Sequence, residues 1–221
     1  SHGLTRILVE YERPENPFGH WASYAKSRPS EADGWLRWLF AALGHSRFAE
    51  VDEIAAEAQA NLANNSAVSA IQYFARAMHG DAEGQMGPLK DLVDSGAATF
   101  REFLVQVAIK AGDSRLAEQQ ASILTNETPF NQAAWAYLAT AWRMLDDERE
   151  FWLCDYERLI QPIEVEADGF DSSVGFANAV AETLAALHQT QYEPGDQSLR
   201  NGTQTSGSLF DRRDPMIACL K

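Results

Sequence analysis

The sequence is short of several features, and each shortage excludes a class of protein. Only two of its 221 residues are cysteines, Cys154 and Cys219. They are too few and too far apart for a disulfide framework or a zinc knuckle, so a reduced, cytoplasmic setting is expected. No apolar run reaches the ~18 residues that span a bilayer, and the first residues lack the basic-then-apolar layout of a signal peptide. Neither a membrane protein nor a secreted disulfide-rich domain is indicated.

Positive charge is also scarce. The chain has 18 Lys and Arg against 32 Asp and Glu, which gives a formal net charge of −14. Phosphate backbones and anionic lipids repel such a chain, so we expect neither nucleic acid nor a membrane as partner. Hydrophobic residues make up 45%. That fraction suffices for a sizeable buried core and excludes global disorder.

Against these shortages stands a period of 34 residues. Apolar residues recur at this interval over residues 30–160, in two ladders that are four residues apart. The ladders are Leu36, Ala70, Leu104 and Leu138, and Phe40, Phe74, Ala108 and Trp142. A 34-residue period with helical patterning is typical of tetratricopeptide (TPR) repeats, each a pair of antiparallel helices. The sequence therefore predicts an all-α fold, a TPR-like α-α superhelix made of a helical repeat array.

The copy over residues 98–131 shows the pattern most completely. Leu104 lies on its first helix, Gly112 marks the turn, and Ala117 lies on its second helix. Small residues let paired helices approach closely, and Pro129 ends the second helix because proline cannot continue the hydrogen-bond ladder. An ordinary helical bundle, in which the spacing is a coincidence, is the alternative.

Shorter elements are predicted on either side of the array. Residues 4–29 form a capping segment, with a short helix near residues 19–27. After the array, residues 152–160 should be helical. Residues 162–166 alternate apolar and polar positions like a short strand.

The last third of the chain should hold one more helix and an irregular end. A helix is predicted from residue 174 to residue 188, with an N-cap among Asp171, Ser172 and Ser173. The predicted domains are thus the cap at 4–29, the repeats at 30–160, and a linker strand, helix and short irregular or β extension at 161–221.

Near the C-terminus, a stretch rich in Gly, Ser, Thr and Gln carries isolated apolar anchors. Its motif positions are Gln197, Ser198, Leu199, Arg200, Gly202, Thr203, Gln204, Thr205, Leu209 and Phe210. These positions resemble the opening segment of a family of 2-oxoglutarate/Fe(II) oxygenases that carry helical repeats in their N-terminal half. The resemblance covers residues 152–221, and Asn201 stands where the family has glycine.

This resemblance implies that the parent protein uses Fe(II) and 2-oxoglutarate. Oxygenases of this class hold iron with two histidines and one carboxylate, on a β-sandwich whose strands would have to follow residue 221. Within the chain, the only His-x-Asp is His79-Gly80-Asp81, which fits a helix end followed by glycine. His188 likewise fits a helix end. We therefore expect no catalytic residue, metal or cofactor in this chain.

Two roles are open for the motif itself. It could form part of a substrate or cofactor pocket once a catalytic domain is present. Alternatively, it is a structural arm whose Gln, Ser and Thr side chains satisfy backbone groups. The second role is favoured, because these residue types commonly bond to the backbone.

A second candidate site is a groove along the first helices of the repeats. The 34-residue period places one row of side chains there, with a row of basic residues beside it. The predicted groove residues are Trp38, Gln72, Gln106 and Thr140, then Arg76 and Lys110, with Arg143 nearby. Basic residues on one face of an acidic chain suit an acidic peptide. An ordinary solvated face is the alternative.

The leading hypothesis combines the two sites. The chain would be the TPR-like protein- or peptide-interaction region of a 2-oxoglutarate/Fe(II)-dependent oxygenase, and would present its partner to the catalytic domain. A stand-alone TPR adaptor that mediates protein–protein interaction is the alternative. In a third reading, the repeats serve to form a homodimer.

Overall fold

A computed structural model describes residues 17–165, 167–189, 199, 202–205 and 207–220 of the chain. They fall into two compact units, of which Phe18–Leu159 is the larger. All regular secondary structure in these ranges is helical, and no described residue belongs to a β-strand. The all-α prediction is confirmed.

The larger unit is a series of helices joined by short turns. In chain order they are α1 Gly19–Ser27, α2 Ala32–Gly44, α3 Phe48–Asn61, α4 Ser66–Arg76, α5 Ala82–Asp94, α6 Arg101–Ala111, α7 Ser114–Glu127, α8 Gln132–Met144, α9 Arg149–Leu153 and α10 Tyr156–Leu159. A wide turn, Ala77–Asp81, joins α4 to α5, and a 3-10 turn, Ala98–Phe100, leads into α6. The predicted helix at residues 19–27 is confirmed.

Helices of the larger unit alternate between two layers. Each helix from α1 to α9 packs against the next one in sequence. In addition, α2 packs against α4, α4 against α6, and α6 against α8. The interleaved helices α3, α5 and α7 do not pack on one another to a comparable extent in this unit. We call α2, α4, α6 and α8 the first layer, and α3, α5, α7 and α9 the second layer.

The turn after a first-layer helix recurs along the chain. In three of the four turns one residue is left-handed: Ser46 (φ 56°), Gly112 (φ 81°) and Asp146 (φ 54°). The following residue then donates its N–H to the carbonyl five residues back. These bonds join Arg47 to Ala42 at 3.0 Å, Asp113 to Ala108 at 2.9 Å, and Asp147 to Trp142 at 2.9 Å. This is the Schellman arrangement, which satisfies the last helical carbonyls and reverses the chain.

Matching contacts fix the repeat length. The acceptor carbonyls of Ala42, Ala108 and Trp142 are 66 and 34 residues apart. Trp35 and Trp135 agree, because each indole Nε1 donates at 2.9 Å to the carbonyl of the proline six residues earlier. The two tryptophans are 100 residues apart, which is three repeats of 33, 33 and 34 residues.

A uniform period of 34 is therefore wrong for the first two repeats. With spacings of 33, 33 and 34, the inward ladder is Trp38, Ile71, Leu104 and Leu138, all buried. The ladder that starts at Leu36 and Phe40 is displaced by two residues there, and Phe40 is 46% exposed. In the second repeat the displacement is one residue. The last two repeats are in register because their spacing is 34.

The end of the array departs from prediction as well. Instead of one helix over residues 152–160, there are two short ones, α9 and α10, interrupted at Cys154 and Asp155. Residues 162–165, predicted as part of a strand, have no regular structure. A strand requires a partner to receive its backbone hydrogen bonds, and no strand is present among the described residues.

The smaller unit contains α11 Ser173–Leu187, a 3-10 turn at Leu209–Asp211, and α12 Pro215–Ala218. The predicted helix at residues 174–188 is confirmed. So is its N-cap, because Ser172 Oγ accepts the Gly175 N–H at 3.1 Å. Helices α11 and α12 pack together, with Phe176 and Ile217 buried.

Gly112 offers a test of the recurring turn. Gly112→Ala places a Cβ on a left-handed residue, which costs about 1–2 kcal/mol, and no heavy atom within 4 Å adds a clash. Gly87→Ala is the matched control, since Gly87 lies within α5 with equally open surroundings. Alanine is favoured there by roughly 0.5–1 kcal/mol. Urea denaturation should give free-energy changes of opposite sign, and equal signs would contradict the assigned turn.

Candidate functional site

The first-layer helices leave one row of side chains at least partly exposed. With the observed repeat lengths, this row is Phe40, Tyr73, Gln106 and Thr140. Each member follows a residue of the buried ladder by two positions, which is about 200° around a helix. The row therefore points away from the packed side of its helix. A flanking row lies three positions further on and consists of Leu43, Arg76, Ile109 and Arg143. We call these eight residues, together with Lys110, the first-layer face.

Two predicted groove residues do not lie on this face. Trp38 is 8% exposed and stacks on Trp35 in the core, with ring centroids 6.1 Å apart. Gln72 is 4% exposed. Its amide donates to Asp52 Oδ1 at 2.6 Å and accepts from Gln59 Nε2 at 2.9 Å. Both residues belong to the packing between helices, so they are unavailable to a peptide.

The other two members of the predicted row are on the face. Gln106 and Thr140 are both half-buried. Thr140 Oγ1 donates to the Ala136 carbonyl of its own helix at 2.8 Å. The Gln106 side chain makes no hydrogen bond with any described residue, so its amide is available for a ligand.

Acidic side chains neutralise most of the predicted basic row. Arg76 Nε lies 2.8 Å from Asp52 Oδ1 on α3. Arg143 Nε donates to Glu150 Oε1 at 2.6 Å, and this bond lowers the pKa of the buried Glu150. Lys110 is exposed and has no ion-pair partner within the described ranges. It is thus the only one of these three cations that remains uncompensated.

A tyrosine links neighbouring first-layer helices at the edge of the face. Tyr137 on α8 donates its hydroxyl to Glu102 Oε1 on α6 at 3.2 Å. Burial raises the pKa of Tyr137 to about 12, and the nearby Glu102 charge adds to the effect. The hydroxyl therefore stays protonated near neutral pH and keeps its role as a donor. This bond fixes the spacing of α6 and α8 beside Gln106 and Thr140.

The predicted helix end at His79 is present, in a widened form. Gly80 adopts φ 136° and comes five residues after Ala75, where the other repeats have four. His79 and Asp81 are exposed and line an open cavity of about 670 Å³ together with Phe48, Asp52 and Arg76. In the described part of the chain, no three His, Cys, Asp or Glu side chains are grouped to hold a metal ion. These residues therefore do not fit Fe(II), and no chemistry is routed through it here.

The family motif is described only in part. Gln197, Ser198 and Arg200 lie outside the described residues. The others, Leu199, Gly202, Thr203, Gln204 and Thr205, are half-buried and have no regular secondary structure. His188 Nε2 at the end of α11 is hydrogen-bonded to Thr203 Oγ1. This bond ties the motif to the helix.

Comparisons with known proteins give no relative for this chain. No family model, no curated protein and no solved structure matches it. Within the described residues, no helix is both long and apolar enough to cross a membrane.

Paired alanine substitutions test the placement of the two glutamines. Gln72→Ala leaves the Asp52 carboxylate without a buried donor and should lower the free energy of unfolding by about 1–3 kcal/mol. Gln106→Ala removes a side chain that has no described partner and should change it by less than about 0.5 kcal/mol. Both would be measured by urea denaturation. Equal losses would show that the two residues occupy equivalent positions, contrary to the observed register.

Proposed function

We propose that residues 18–159 form a TPR-like α-α superhelix that binds an extended segment of another protein along the first-layer face. The observation that carries the proposal is the asymmetry between the layers. First-layer helices pack on one another, while second-layer helices do so to a lesser extent. A stack whose members are closer on one side curves toward that side, so the first layer lines the concave surface. In solenoid proteins such surfaces are the ones used for binding.

Chemical character along the face indicates what it would bind. Phe40 and Tyr73 in the first two repeats offer aromatic contact surface, which typically anchors an apolar side chain. Gln106 in the third repeat offers an amide to the ligand backbone. Lys110 adds one free positive charge. The expected ligand is an extended peptide with an apolar residue toward the first repeats and an acidic residue toward the third.

Lys110 provides the direct test. A peptide selected from a displayed random library on the 221-residue chain should lose about five- to tenfold in affinity on Lys110→Glu, because the reversal removes one exposed ion pair and adds repulsion. Arg115→Glu is the matched control, since Arg115 is also exposed without a described ion pair but lies on the second layer. Fluorescence anisotropy would measure both. Equal losses, or no loss with Lys110→Glu, would refute binding on this face.

The resemblance of residues 152–221 to oxygenases supports a proposal about the parent protein. It would be a cytoplasmic 2-oxoglutarate/Fe(II) oxygenase, with the repeats presenting a bound protein to its catalytic domain. The bond between His188 and Thr203 suits a structural arm. A stand-alone adaptor remains the second candidate, because peptide binding on the first-layer face does not require a catalytic domain.

An assay for 2-oxoglutarate decarboxylation tests the non-catalytic part of this proposal. With Fe(II) and ascorbate, the 221-residue chain should release no CO₂ from labelled 2-oxoglutarate above the protein-free control. The physical reason is the lack of a suitable ligand set among the described residues. Activity that disappears with a chelator and returns with Fe(II) would contradict the proposal.

A further inference from the structure

The last second-layer helix has no first-layer helix to cover it. Each earlier one, α3, α5 and α7, packs against the first-layer helix that follows it. Helix α9 has only five residues and is followed by the four-residue α10. Side chains that would be buried between repeats elsewhere in the array therefore face solvent here.

Large apolar side chains are concentrated at this end. Phe151 is 61%, Trp152 72% and Leu159 73% exposed. Tyr156 is also exposed, and its ring lies edge-on to Phe151 with centroids 6.4 Å apart. On the other side of α9, Trp152 contacts Trp135 of α8 at 6.5 Å. We call Phe151, Trp152, Tyr156 and Leu159 the terminal patch.

We propose that the terminal patch joins two copies of this chain, end to end, around a two-fold axis. Area supports a second copy as the occupant. Aromatic side chains offer about 150–250 Å² each, so the exposed fractions leave roughly 400–500 Å² of apolar surface. A stable dimer buries about 800 Å² per partner, of which about 65% is apolar in homodimers. The patch thus supplies the apolar core that such an interface needs.

Charge at the rim also suits self-association. Two chains of net charge −14 repel each other, so an interface between copies must balance its own charges. Glu157 and Arg158 are both exposed on α10, and Arg158 has only a long ion pair of 3.5 Å with Asp155. A two-fold axis makes a patch meet itself, which brings Arg158 of one copy toward Glu157 of the other.

The salt dependence follows from the same balance. The apolar core of the interface is insensitive to screening, whereas the overall repulsion between two acidic chains is weakened by it. Added NaCl should therefore strengthen the dimer. An association driven mainly by ion pairs would weaken instead.

Sedimentation velocity on the 221-residue chain tests the proposal. The wild-type chain should show a reversible monomer–dimer equilibrium in the micromolar range, tighter at high NaCl. Trp152→Glu and Leu159→Glu should each raise the dimer dissociation constant by at least about tenfold, because each places a charge in the apolar core. Both side chains are mainly exposed, so circular dichroism should show an unchanged helical fold.

Phe40→Glu is the matched control, since it also adds a carboxylate at an exposed aromatic residue, but in the first repeat. It should leave the dimer unchanged. Three outcomes would overturn the proposal. They are a wild-type chain that is monomeric at every concentration and salt, a dimer that survives both patch substitutions, and a dimer weakened equally by Phe40→Glu. A monomer would mean that residues of the same chain or a different protein cover the patch.

Discussion

The larger unit depends on the packing of each second-layer helix against the first-layer helix that follows it. In the contact of α7 with α8, Ala121 and Leu124 form one buried cluster with Leu138 and Trp142. A large buried side chain contributes about 1.5–3 kcal/mol relative to its exposed state, so such contacts dominate the stability of each repeat. Small residues on α7 are what allow the bulky ones of α8 to fit. Without this contact, neither helix of a pair would bury its apolar side.

The same packing determines which polar groups remain for function. Asp52 of α3 and Glu150 of α9 bind Arg76 and Arg143 of first-layer helices. Those arginines help to join the layers, and their charges are largely compensated. What is left on the first-layer face is aromatic surface, one amide and one free ammonium. The face is thus closer to a site for an apolar peptide with a single acidic residue than to a broadly basic groove.

The sequence was sufficient to predict the helical class and a repeat of the correct approximate length, because apolar side chains must recur wherever equivalent helices stack. It was not sufficient for the register of the first two repeats. In α4, Ala70, Ile71, Phe74 and Ala75 are all buried, so the apolar pattern tolerates a shift of one residue. The pairs Pro29–Trp35 and Pro129–Trp135, separated by 100 residues, were the signal that could have corrected it. Ion pairs such as Arg76–Asp52 were beyond prediction, since they depend on how two helices are positioned in space.

Cysteine labelling would test the central claim, the register of the first-layer face, most directly. In a background with Cys154→Ser and Cys219→Ser, single cysteines would replace Phe40, Gln106, Trp38 and Gln72 in turn. The account predicts fast thiol labelling at positions 40 and 106, and labelling limited by the rate of opening at positions 38 and 72. Equally fast labelling at positions 38 and 72 would contradict it, because it would place the uniform 34-residue row on the surface.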